Sequence, residues 1–179
     1  MQNLAFILTL FISGIMTSQS NYETGMQNAF ELWGKNQPHE ASNLFERIAQ
    51  AEPESWLPNY YAAQINIVNS FGERDIDKLK AKLDKAQTLI DQANKVSSDN
   101  AELLVLQALL HTAWVAYDGG TYGMTLSPKV VALYLKAEQL APENPRVVYC
   151  KADWDMGAAR FFGQDTTPFC KGIERSIEL

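Results

Sequence analysis

From Asn36 to Ser55 the chain reads NQPHEASNLFERIAQAEPES. Ala41, Phe45 and Ile48 stand at i, i+4 and i+7, so three apolar side chains share one face of a helix. The cluster Ala51-Glu52-Pro53-Glu54-Ser55 then closes it as a turn. A helix with one apolar stripe is stable only when that stripe is buried against another element.

Further along the chain the same rhythm returns at Ala86, Ile90 and Ala93 before Ser98, and again at Val130, Tyr134 and Ala137 before Pro142. The turns resemble one another: Ser97-Ser98-Asp99-Asn100 and Ala141-Pro142-Glu143-Asn144-Pro145 are, like the first, short and built of turn-forming residues. Each turn leads into a new helical stretch carrying a small residue near its middle, at Ala63, Ala108 and Ala152. Small residues there let two helices approach closely.

The order of a small residue, then Ala, aromatic and Ala, then Pro resembles the tetratricopeptide repeat. Ala29, Ala41, Phe45 and Pro53 carry it in the first repeat, and Ala63, Ala86 and Ala93 in the second, which has Ser98 for Pro. Ala108, Tyr134, Ala137 and Pro142 carry it in the third, with Val130 replacing a small residue, and a fourth starts at Pro145 with Ala152. The resemblance spans about Tyr22 to Leu179. It implies an all-α fold, a right-handed superhelix of about four antiparallel helix pairs, and a role in binding and assembly like that of small exported tetratricopeptide proteins of Gram-negative envelopes.

One departure stands out. The spacing from Ala63 to Ala108 to Ala152 is about 45 residues, against about 34 in the family. The excess falls in the second and third hairpins, at Ser70-Phe71-Gly72-Glu73-Arg74 and at Tyr117 to Pro128.

Helix starts support about eight helices and no sheet. Ser127-Pro128, Asn144-Pro145 and Thr167-Pro168 each set a capping side chain before a Pro suited to the first turn. Asp75 is placed to cap Ile76 to Val96, where Ile76, Leu79, Leu83, Ala86, Ile90 and Ala93 form a seam. The cap at Asn144 argues helix for the strand-like run Val147-Val148-Tyr149-Cys150. The last segment, Pro168 to Leu179, sets Phe169, Ile173 and Ile177 on one face with no capping helix after it, a surface for docking or self-association. Cys150 lies well before the last turn and Cys170 just after it, which sets them about 10 Å or more apart along the hairpin and predicts two free thiols.

Residues 1–20, MQNLAFILTLFISGIMTSQS, carry no charged side chain, and Leu4 to Met16 is almost wholly apolar. That run is shorter than the roughly 20 residues of a membrane span and is followed by small and hydroxyl residues, the layout of a signal peptide. The expectation is export to the periplasm or cell envelope, removal of residues 1–20, a single domain over 21–179, and no membrane span after removal. The net charge of −6 disfavours nucleic acid as a partner.

Little in the chain points to catalysis. His39 and His111 are the two histidines, far apart, with no HExxH, no Cys/His cluster and no phosphate-binding glycine loop. Asp153 and Asp155 are two apart on a helix and face different ways, a poor acid–base pair. The reading is a non-enzyme without cofactor or metal.

In tetratricopeptide folds the first helix of each pair lines a concave groove. By register the resemblance assigns to it Met26, Phe30 and Trp33, then Leu57, Tyr60, Gln64 and Ile67, then Val105, Leu109 and Thr112, then Arg146, Tyr149, Asp153 and Met156. Such a groove suits an apolar helix or extended peptide gripped by aromatic anchors. The glycine-rich stretch from Tyr117 through Tyr122 to Met124 reads as a loop, a second contact or a lid. The expected function is a non-catalytic protein-binding scaffold; the alternative is a binder of a small apolar or glycan ligand in the same groove.

Overall fold

The computed structural model describes residues 21–179. The expected signal peptide lies outside them. Eight helices occur among the described residues, with no strand. Helix α1 covers residues 21–34, α2 Pro38–Ala51, α3 Leu57–Val68 and α4 Ile76–Val96. Then come α5 Ala101–Tyr117, α6 Gly119–Leu140, α7 Pro145–Phe161 and α8 Thr167–Glu178.

Neighbours in sequence pack in space: α2 on α3, α3 on α4, α5 on α6 and α7 on α8. Alternate helices also touch. Helix α3 meets α5, and α5 meets α7, while Phe30 of α1 meets Tyr61 of α3 edge-on with ring centroids 4.6 Å apart. The first helices of successive pairs therefore lie side by side.

The repeated stripe positions are where the core is. Ala41, Phe45, Ala86, Ile90, Ala93, Val130 and Ala137 are all fully buried. A larger core runs from α1 to α5, and a smaller one joins α5, α6 and α7 around Val105, Val130, Tyr134 and Val147. In the α4 seam, Leu79 to Ala93 are buried as expected, whereas Ile76 in the first turn is 42% exposed.

Two of the expected caps are present. Asp75 accepts from the amides of Asp77 and Lys78 at 3.0 and 3.2 Å, and Asn144 from those of Arg146 and Val147 at 2.8 and 3.3 Å. The other two starts need correction. Thr167 does not cap; Asp165 accepts from both its amide, at 2.9 Å, and its hydroxyl, at 2.7 Å. Ser127-Pro128 begins no helix, because α6 already starts at Gly119 and carries Pro128 inside it.

The loop expected over Tyr117 to Met124 is therefore helix except at Asp118. Asp118 alone separates α5 from α6, and its carboxylate caps α6 by accepting from the Thr121 amide at 3.1 Å. Trp114 packs on Tyr122 at 5.0 Å, which ties this glycine-rich first half to α5. Pro128 is exposed, so its missing amide donor and ring fall on the outer side, where water can satisfy the freed carbonyl. The excess length of the third hairpin becomes helix.

The last helix has no buried residue, and Ile177 is 81% exposed. Both cysteines are free. No helix among the described residues is long and apolar enough to cross a membrane.

Candidate functional site

The side-by-side first helices leave a cleft between α1 and α3. Its space is about 620 Å³, and its apolar lining is Tyr22, Met26, Phe30, Leu57 and Tyr61. One rim carries Glu23, Gln27 and Glu31, one helical turn apart on α1.

Helix packing fixes these side chains from behind. Phe45, fully buried on α2, touches Phe30 at 5.2 Å and stacks on Tyr61 at 5.5 Å. Tyr22 and Ser55 share a hydrogen bond of 2.9 Å, which ties the start of α1 to the turn before α3. Phe30 remains 39% exposed, a large aromatic side chain held rigid yet open to solvent.

Of the groove residues assigned by register, Met26, Phe30 and Leu57 meet in this cleft. Trp33 is half-buried against the larger core, as are Leu109 and Tyr117. Ile67 is fully buried and so has no surface for a partner. Tyr60 is also lost to the interior, at 3% exposure. Its hydroxyl donates to Glu102 Oε2 at 3.1 Å, and the Arg146 guanidinium lies 5.8 Å over its ring.

Glu102 is the hub of that contact. Asn144 donates to its Oε1 at 2.8 Å, and Arg146 Nε pairs with its Oε2 at 3.0 Å. One carboxylate thus joins α3, α5 and the start of α7. Burial, reinforced by the Glu102 charge, pushes the Tyr60 phenol far above its ordinary range and keeps it a donor.

Gln64 is half-buried. Tyr149 is 47% exposed, Asp153 is exposed and Met156 half-buried. These last three follow one another on a face of α7, a helix that contributes nothing to the α1/α3 cleft. Tyr117 and Tyr122 belong to different helices rather than to a common lid.

The plainer assignments are also visible. His39 lies 3.2 Å from the Asn43 amide on the surface. His111 is half-buried beside Gln107, and burial, with Lys129 adding to it, lowers its pKa below the usual value. Asp155 pairs with Lys151 at 3.1 Å, while Asp153 is turned elsewhere. No group of three or more His, Cys, Asp or Glu side chains among the described residues is arranged to hold a metal ion.

Sequence reasoning missed Tyr61, Tyr22 and Glu102. Tyr60 and Tyr61 are consecutive, about 100° apart round the helix, so one turns inward and the other sideways. Register chose the inward one. The sequence matches no protein-family model and no curated protein.

Proposed function

We propose that this chain is a non-catalytic protein-binding scaffold of the cell envelope, which holds an apolar helix or extended peptide of a partner in the α1/α3 cleft. The observation that carries this reading is the cleft itself: Phe30, Tyr61 and Leu57 present rigid apolar surface on first helices that lie side by side. A rigid aromatic anchor loses little conformational freedom on binding, which is why such residues dominate interface energetics.

The same arrangement supports a tetratricopeptide-like architecture, a right-handed stack of four helix pairs with a concave side formed by α1, α3, α5 and α7. Export rests on the uncharged, apolar Leu4 to Met16 run and on the hydroxyl residues after it. The mass of the product from its native source tests removal of residues 1–20.

Affinity purification from envelope extract tests the scaffold. A defined partner should be recovered with the parent chain and lost with Phe30→Ala, whose exposed ring can be truncated with the fold kept, as thermal unfolding will verify. A second reading, a small apolar or glycan ligand, draws support from the cleft volume, which lies in the range of about 300–1,000 Å³ common for ligand sites. Recovery of no partner, together with a metabolite that raises the melting temperature of the parent but not of Phe30→Ala, would favour it.

A further inference from the structure

The stretch that lengthens the second hairpin, Ser70 to Arg74, and the end of α5 at Ala113 to Tyr117 are distant in sequence and line one cleft. Between the α3–α4 turn and the last turn of α5 they enclose a second cleft of about 420 Å³. Ser70 and Ala113 are its buried lining, while Phe71, Arg74 and Ala116 are exposed and Tyr117 is half-buried.

The turn is held from behind. Lys82 Nζ donates to the Asn69 carbonyl at 3.0 Å and to Glu73 Oε2 at 2.9 Å. The other oxygen of Glu73 accepts from the amides of Arg74 and Asp75 at 3.1 and 3.3 Å. Ser70 Oγ donates to the Ile67 carbonyl at 2.6 Å, and Gly72 takes a φ of 81°, where a side chain would be strained. A cleft wall fixed in this way loses little freedom when something binds.

The polar groups of the cleft divide into committed and uncommitted. Glu73 is neutralised by Lys82 and fully engaged by backbone amides. The Arg74 guanidinium and the Tyr117 hydroxyl have no hydrogen-bond or ion-pair partner among the described residues. The remaining lining is Phe71, Tyr117, Ala113 and Ala116, together with Ser70 and Gly72 of the turn. Among the lining residues, the uncommitted charge is therefore the positive, planar guanidinium of Arg74, on a cleft that Phe71 and Tyr117 also line.

We propose that this cleft binds a small organic acid, a carboxylate on an aromatic or branched apolar body. The guanidinium of Arg74 matches a carboxylate in two parallel hydrogen bonds. Phe71 and Tyr117 cover the body of the ligand, and the Tyr117 hydroxyl donates to it. The volume is that of a small-ligand site. The α1/α3 cleft shares no residue with this one, so the two assignments stand or fall separately.

Phenylacetate is a suitable probe, titrated into the full chain and followed by amide ¹H–¹⁵N shifts. Shifts are expected at Gly72, Arg74, Ala116 and Tyr117. Phenylacetamide, equal in shape but uncharged, should bind about tenfold or more weakly, and Arg74→Gln should weaken phenylacetate to the same extent. Ala116→Leu should fill the cleft and abolish the shifts. Because Arg74 is exposed and its guanidinium is unpaired among the described residues, Arg74→Gln removes no native side-chain hydrogen bond or ion pair and decides the matter even if Ala116→Leu fails to fold. Unmoved amides at these four residues, or equal binding by acid and amide, or binding unchanged in Arg74→Gln, would each overturn the assignment.

Discussion

Tyr60 on α3 and Glu102 on α5 are joined by a 3.1 Å hydrogen bond, and the same carboxylate oxygen pairs with Arg146 of α7. Three first helices are therefore tied through one side chain, itself 24% exposed. Glu102→Ala leaves the Tyr60 hydroxyl buried without an acceptor, a cost of about 2 kcal/mol. Arg146→Ala, which removes an arm 41% exposed, should cost about 1 kcal/mol or less. Denaturant unfolding of the two variants checks the order, which reverses if Arg146 rather than Glu102 organises the contact.

Gly172 of α8 lies against Ala152 of α7 so closely that a Cβ on the glycine would stand 2.7 Å from the alanine's. Gly172→Ala must push the helices apart, a cost of about 1–3 kcal/mol that outweighs the roughly 1 kcal/mol gained in helix propensity. Net destabilisation is expected, with partial recovery in Gly172→Ala/Ala152→Gly. A stabilised single variant, read by thermal unfolding, would show that the helices part freely.

His111 gives the stability a pH dependence. Burial, with Lys129 adding to it, depresses its folded-state pKa below 6.5. The unfolded chain therefore binds the proton first, so stability falls as pH drops through about 6.5 and levels off below the folded value. Comparing the parent with His111→Gln between pH 8 and pH 5 isolates this contribution. The parent should lose more melting temperature over that interval, and an equal loss in both would contradict the assignment.

The thiols should differ in reactivity. Burial pushes the Cys150 thiol up to about 11, whereas Cys170 is exposed. Iodoacetamide at neutral pH should label Cys170 in the native chain and Cys150 only after unfolding. Peptide mapping by mass spectrometry distinguishes the two, and equal native labelling would place Cys150 at the surface.

What the sequence reveals is what local chemistry decides. Asp75 and Asn144 cap their helices because a carboxylate or amide oxygen at that position meets the free amides whatever the tertiary context. The stripes Ala41-Phe45-Ile48 and Ala86-Ile90-Ala93 are legible because spacing alone names the buried face. The stretch after Tyr117 reads as loop because three glycines and Pro128 lower its helix propensity. Packing of Tyr122 on Trp114 and the Asp118 cap override that preference. Tyr60 reads as an open anchor because its acceptor, Glu102, lies on another helix 42 residues on, beyond any local pattern. Tyr61 takes its place at the cleft for the same reason: its neighbours Phe30 and Phe45 come from other helices.

A photo-crosslinking residue placed at Gln27 on the cleft rim shows whether the α1/α3 face holds a partner. Asn94, exposed on α4, serves as the control position. In the native source, position 27 should give one defined protein adduct through an apolar segment of the partner, lost with Phe30→Asp and missing from position 94. No adduct at 27, or matching adducts at both positions that survive Phe30→Asp, would mean that this face holds no partner.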